Sequence, residues 1–325
     1  MRTSIARLRC SRLLSGILAA ASLAAAPLAA QGEQFQFVVS AADANGAPVT
    51  DLAPAEIVIT ENGVRGTILK VEPYPIPVKL TIAVDNGIFS TDAIAHYRTG
   101  LTRMLDTLPF DMETALMTTA PQSRMVVNPT TDRIALRRGM TGFAPEEARP
   151  RFTDTLVEYA RRLEDEVKLR ERLDYIPVLV MVSTTANEDT IYQVGEIDKA
   201  IRFLIARRAR VIVTMMSTRA GTVEGDLNNN RQSLIAIPTT EATGGRYEAL
   251  SLSSRLTTLL PEIGKDIAAL HVKRANQMLV TARRADGLTG PIQKLDIYVT
   301  RRNTTGSVSA DGFPPVVRGH QSESQ

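Results

Sequence analysis

Val78 to Ser90 reads VKLTIAVDNGIFS: a nearly unbroken apolar run, then one aspartate, then a turn that feeds an amphipathic stretch. Leu80, Ile82 and Val84 alternate within the run, and Ile94, Tyr97, Leu101, Leu105 and Leu108 recur behind it at helical spacing. A buried strand that ends on a turn into a helix is the first unit of a parallel α/β sheet. Ligand sites of such sheets lie just beyond the carboxyl ends of the strands, which puts Asp85 at the expected site.

Working outward, strands continue to alternate with helices. Met112 to Thr119 and Ser123 to Asn128 predict an antiparallel pair about Pro121, with a short helix from Asp132. A longer helix from Thr153 buries Leu156, Tyr159, Leu163 and Val167, and its charged face, Arg161 to Arg172, reads as a solvated surface laced by i,i+4 pairs. Ile176 to Ser183 is an apolar strand. Ile197 to Ala209 is a helix with Ile201, Leu204 and Ile205 inward, and Val211 to Met216 is the next strand. Asn228 to Asn230 marks a loop before a helix with Leu234, Ile235 and Ile237; Thr243-Gly244-Gly245-Arg246 is a turn, and a helix follows from Ser253 to about Leu270. This order predicts a doubly wound, mostly parallel sheet covered on both faces.

The flanks are different. Phe35, Phe37 and Val39 alternate with polar residues, as do Ile57 and Ile59, and Asn45-Gly46 and Asn62-Gly63 are turn dipeptides, so residues 31–77 predict a small antiparallel meander. Pro73, Pro75 and Pro77 punctuate it as a stiff linker. The α/β unit then spans 78–270. Strands near Gln277 to Thr281 and Lys294 to Thr300 lie in a segment 271–317 that is placed to pack with the N-terminal strands, and 318–325 reads as a disordered tail.

The first thirty residues carry Arg2, Arg7, Arg9 and Arg12 ahead of an apolar run from Leu13 to Leu28, closing on Leu28-Ala29-Ala30. This is the pattern of a secretory signal peptide cleaved after Ala30, and the run is too short, Ala-rich and interrupted for a transmembrane anchor. Its removal sends the chain to the periplasm or outside the cell. Of 38 Lys and Arg, those four go with the leader, which leaves 34 against 35 Asp and Glu. A charge-balanced chain lacks the basic surplus of a nucleic-acid binder. Cys10, the sole cysteine, also lies in the leader, so disulfides and cysteine-bound metals are excluded from the rest. With 44% apolar residues, about 295 remaining positions suffice for one large core and a satellite.

Taken together, Phe37-Val38-Val39, Gly46-Ala47-Pro48-Val49, Glu61-Asn62-Gly63, the strand to Asp85 and Ala242-Thr243-Gly244-Gly245-Arg246 resemble secreted bacterial proteins with a von Willebrand factor A-related domain. The resemblance implies a sheet-top site where D-x-S-x-S, a second-loop Thr and a third-loop Asp hold a divalent cation. Here only Asp85 matches the first pattern, because Gly87 and Phe89 stand at the two serine positions. Thr153 or Thr155 is the second-loop candidate, although Leu156 aligns Asp154 there, and Thr184 stands at the third-loop aspartate. A hard cation such as Mg²⁺ or Mn²⁺ needs charged oxygens in number, so the resemblance implies a degenerate site and no cofactor.

A remodelled cation site from Asp85, Ser90, Asp92, Glu188 and Asp189 is the alternative, and would make the chain a cation-dependent adhesion domain. Otherwise Asp85, Asn86, Ile88, Phe89, Thr184 and Thr185, with Thr153 to Thr155 and Ser183 to Asn187, are the candidates to touch a protein or other extracellular partner. Ile88 and Phe89 either anchor that partner or fold back as a plug.

Enzyme motifs are missing: H-E-x-x-H, G-x-S-x-G and the Walker A pattern do not occur, and Asp85 to Phe89 lacks the three glycines of a dinucleotide turn. His96, His271 at the start of the last strand region, and His320 form no i,i+4 pair. Asp85 with Asp92 or Asp111 is the one conceivable acid pair for glycoside hydrolysis, and coordinates decide it. A non-enzymatic binding module is therefore the expected function.

Overall fold

The computed structural model describes residues 33–217, 231–288, 291 and 294–309. The leader 1–30, the loop Asn228 to Asn230, His320 and the tail 318–325 lie outside the described residues.

The strand that opened the sequence reading, β5 (Val78–Val84), lies inside a six-stranded sheet. To give its order, the earlier strands are β1 (Gln34–Asp43), β2 (Ile57–Glu61), β3 (Val64–Arg65) and β4 (Thr67–Pro73). The later ones are β6 (Thr114–Thr118), β7 (Arg124–Thr130), β8 (Ile176–Thr184), β9 (Arg210–Met216), β10 (Arg246–Leu250), β11 (Met278–Arg283), β12 (Leu295–Val299) and β13 (Thr304–Ser309). The large sheet runs β10-β9-β8-β5-β6-β7, parallel throughout except for β7, which returns antiparallel beside β6.

Alternation along the strands sorts side chains between two helical layers. Leu80, Ile82, Val84, Val178, Val180 and Val182 face the layer of α1 (Ile94–Thr107), α2 (Arg133–Gly142) and α6 (Leu256–Ala275). Ala83, Leu179, Met181, Val211 and Val213 face α3 (Phe152–Arg170), α4 (Val194–Ala206) and α5 (Arg231–Ala242). Asp132 caps α2, its carboxylate accepting from the backbone N–H of Ile134 and Ala135. The fold is thus an α/β sandwich, doubly wound and mostly parallel, with smaller antiparallel sheets at its side.

Those smaller sheets differ from the expected meander. Strands β1 and β2 lie in separate sheets: β13-β1-β11-β4 and β12-β2-β3. Asn62-Gly63 does make the hairpin of β2 and β3, with φ of 51° and 83° at its two residues. Asn45-Gly46 turns the chain only as far as a single bridge, Ala42 to Pro48, so β1 finds its neighbours among the C-terminal strands instead. Arg284 links the two ends of the chain, its buried guanidinium bidentate on Glu61 and 3.2 Å from Glu33. The proline-rich linker is fastened too, since the N–H groups of Tyr74 and Ile76 donate to Gln277 and Arg274.

Several boundaries shift. Helix α4 ends at Ala206, short of Ala209, because Arg208 turns left-handed at φ 56°; Ile205 consequently faces outward. Helix α5 turns Leu234 and Ile237 to the surface and Ala236, Thr239 and Thr240 inward. The last helix runs on to Ala275, so His271 is a buried helical residue and not the start of a strand; its Nδ1 accepts the Val78 N–H at 3.3 Å. Strands β10 and β13 had no expectation at all. β10 begins at Arg246, one residue beyond Gly245, and a Cβ on Gly245 would overlap the Val211 carbonyl oxygen.

Gly245→Ala is therefore expected to cost roughly 1–3 kcal/mol by overpacking, whereas Gly195→Ala, in a helix with open space around it, should gain about 0.4–1 kcal/mol. Urea unfolding of the two variants checks both signs, and a neutral Gly245→Ala would contradict the close approach.

Candidate functional site

The chain switches direction at β5: its partners β6 and β8 lie on opposite sides, which opens a crevice at the carboxyl ends of these strands. Asp85, the first residue past β5, fills that crevice and is wholly buried. Its backbone N–H donates to the Val182 carbonyl, extending the β5–β8 pairing by one step. One carboxyl oxygen accepts the Gly87 N–H at 2.8 Å and the other the Thr184 hydroxyl at 2.7 Å. The residue at the family's third-loop aspartate position is thus a donor to Asp85 and not a fellow ligand.

A strap from Ala144 to Arg151 lies over the first loop. Asn86, itself buried, donates through Nδ2 to the Ala144 carbonyl and accepts from the Ala120 N–H, while its own carbonyl takes the Glu146 N–H at 2.7 Å. The Ile88 N–H donates to Ala148. A Cβ on Gly87 would stand 2.7 Å from that same Ala148 oxygen. The strap occupies the space that a serine side chain would need, which is the physical reason a metal-site serine is missing here.

The second and third loops are joined in the same direct manner. Glu188 accepts both the backbone N–H and the hydroxyl of Thr153, capping the start of α3 from another loop. Asp154 is held by Arg151 at 2.8 Å and by the Thr190 hydroxyl at 2.5 Å. Thr155 pairs with Ser123 and with the Arg151 carbonyl. Neither threonine therefore points its oxygen at Asp85. Of the remodelled set, Asp92 is exposed and Asp189 is on the surface, 3.5 Å from Arg149. Among the described residues, no group of three or more His, Cys, Asp or Glu side chains could hold a metal ion. The hydrolase pair fails on geometry as well: Asp111 precedes β6, at the opposite end of the sheet from Asp85, and lies 3.4 Å from His271. His96 is occupied with Ser253.

Burial pushes the Asp85 carboxyl above the usual carboxylate range, against the pull of Gly87, Thr184 and the nearby Ser90 hydroxyl, which closes no hydrogen bond of good geometry. Burial also raises the Tyr97 phenol, and the Asp85 charge beside it adds to the effect. Glu188 is raised by burial against its two bonds from Thr153. Sequence reasoning missed Tyr97, Thr118 and Thr119, whose buried hydroxyls, like those of Ser90 and Ser183, close no hydrogen bond among the described residues. Helical spacing assigned Tyr97 to the core, and hydroxyls at strand ends carry no motif that would have singled them out.

Of the surface candidates, Asp85, Asn86 and Thr184 are out of contact with solvent, Phe89 and Thr185 are half-buried, and Ile88 stands 49% exposed.

No protein-family model matches the chain, and no curated protein does. Solved structures are similar at low identity. One is a von Willebrand factor type A protein from Catenulispora acidiphila, 10% identical, with a TM-score of 0.47 over 85% of this chain and 73% of that one. Others are BatB from Bacteroides thetaiotaomicron, 13% identical, TM-score 0.41, over 58% and 98% of the two chains, and proximal thread matrix protein 1 from the mussel byssus, 12% identical, TM-score 0.44, over 61% and 49%. The fold assignment rests on this chain's own strand order and register.

Two tests follow from the site. A carboxyl raised in the folded state contributes stability that is fully present below its unfolded value and is lost as pH rises through the folded one. Asp85→Asn should therefore gain stability relative to the parent as pH goes from about 4 to about 8; a thermal-midpoint difference that stays flat, or moves toward the parent, would refute the assignment. Gly87→Ser should cost roughly 1–3 kcal/mol by displacing the strap, and an unchanged denaturant midpoint would show that the strap does not seal the loop.

Proposed function

We propose that this chain is an exported, non-enzymatic binding module whose sheet top works without a metal ion. The observation that carries the reading is the direct cross-bonding of the three loops, Asp85 to Thr184 and Glu188 to Thr153, at the place where the resemblance implies a bridging cation. The oxygens that a cation would need are already committed to hydrogen bonds within the fold. What the top presents outward is Ile88 with Phe89 and Thr185, joined along the third loop by the exposed Ile191 and Val194. An apolar loop surface of this kind suits a protein or other extracellular partner through shape and burial of the loop hydrophobes. No helix among the described residues is long and apolar enough to cross a membrane, and the signal-peptide pattern supports export with cleavage after Ala30.

Thermal unfolding of the purified protein, with Mg²⁺ or Mn²⁺ added to the millimolar range and with EDTA, tests the metal-independent reading. The expected midpoint is the same in all conditions. Saturation a hundredfold above a Kd would add about 2.7 kcal/mol and several degrees, and such a rise would establish the cation-dependent alternative. N-terminal sequencing of the exported form should begin at Gln31, and a retained leader would overturn the export part.

A further inference from the structure

The end of the sheet opposite Asp85 carries a cavity of about 370 Å³. It lies where β8, β9 and β10 begin, between the last turns of α4 and α6 and the start of β11. Four guanidinium groups line it: Arg207, Arg208, Arg210 and Arg274. No Asp or Glu is among its described lining residues. Ile76, Ile176 and Leu270 give it an apolar floor. The acid nearest in the bonding network, Glu166, is engaged from the far side of the wall residue Tyr175, whose hydroxyl donates to it at 2.6 Å, and by Lys79 at 3.7 Å.

From these observations we infer that the cavity is a binding site for a small organic phosphate monoester, the phosphate among the arginines and the apolar group on the floor.

Three features carry this. Like charges gathered about a low-dielectric floor repel one another, and a dianion relieves that repulsion more than a monoanion does. Guanidinium groups also match phosphate oxygens with paired N–H donors. The volume falls in the range of small-molecule sites, which are concave, mostly apolar and oriented by a few polar groups. The backbone supplies the third. Arg208 holds the left-handed φ of 56° at the end of α4, a place where glycine sits without strain. A strained position filled by arginine points to a use for its side chain. Arg207 is fixed beside it, its guanidinium 5.5 Å over the Phe203 ring and its Nε shut from water without an acceptor among the described residues.

The site is independent of the sheet top, so its failure would leave the proposed function untouched. Isothermal titration of the full chain with phenyl phosphate is expected to show one site, filled by phenyl phosphate at least about tenfold more tightly than by inorganic phosphate or benzoate, with no binding of phenol. Arg208→Gly should weaken phenyl phosphate about tenfold while holding or raising the thermal midpoint, because it removes the cation and relieves the backbone. Arg207→Ala combined with Arg274→Ala should abolish binding. Equal affinity for inorganic phosphate would remove the apolar floor from the proposal, equal affinity for benzoate would remove the dianion, and phenol binding would remove the charge. No binding of phenyl phosphate at millimolar concentration, or unaltered affinity in a folded Arg208→Gly variant, would overturn the site itself.

Discussion

A carboxyl group sealed from water must find donors, and at Asp85 that demand organises the whole upper end of the sheet. Removing a carboxylate from water without compensation is among the larger penalties a fold can incur. Here the compensation comes from the turn of its own loop, through Gly87, and from the end of the neighbouring strand, through Thr184. Both donors are available only if β5 and β8 are in register to their last residues, which the Asp85 N–H to Val182 bond secures. The strap then closes over Asn86 and Gly87. Loop conformation, strand register and burial are thus conditions on one another, and the local sequence Asp85-Asn86-Gly87 supplies all three: an acceptor, a two-way amide and a residue with no side chain.

The same logic explains how much could be read from the sequence. The centre of the fold was legible because its signal is local: an apolar strand, a turn and a 3.6-residue repeat in α1 need no knowledge of what lies across the sheet. The degenerate pattern at Gly87, Phe89 and Thr184 was legible for the same reason. What replaced the metal ligands was not. Thr184 donating to Asp85, Glu188 capping α3 and the strap lying on Gly87 join residues tens of positions apart, and no spacing rule connects them. Strand β10 was hidden differently. Arg246 and Glu248 give it a charged face suited to a sheet edge, and its five residues fall between a glycine turn and a helix. Helix α5 misled by composition, since its apolar Leu234 and Ile237 face outward while hydroxyls lie inward, bonded to the preceding turns through Ile235 and Ile237 carbonyls.

The two ends of the molecule have contrasting chemistry. At the carboxyl ends of the strands, acids and hydroxyls are drawn inward and neutralise one another, leaving apolar loop tips outside. At the amino ends, arginines gather around an open hollow. The parallel sheet makes this segregation possible, because every strand enters from one end and leaves at the other, so each end collects its own set of loops.

The smaller β sheets are assembled from both extremities of the chain, with the α/β unit spliced between β4 and β11. Phe37 pairs with Val280, a separation that makes loop closure slow relative to the local contacts of the helices and parallel strands. As the chain emerges during synthesis or export, the α/β unit has all its strands and helices before β11 arrives. Strand β1 must wait through that interval with its edges open, and its Phe35, Phe37 and Val39 side chains uncovered, until β11 and β13 come to flank it. The order in which the polypeptide becomes available thus leaves its first strand as the last to be enclosed, and makes that strand the point where a folding helper has most to shield.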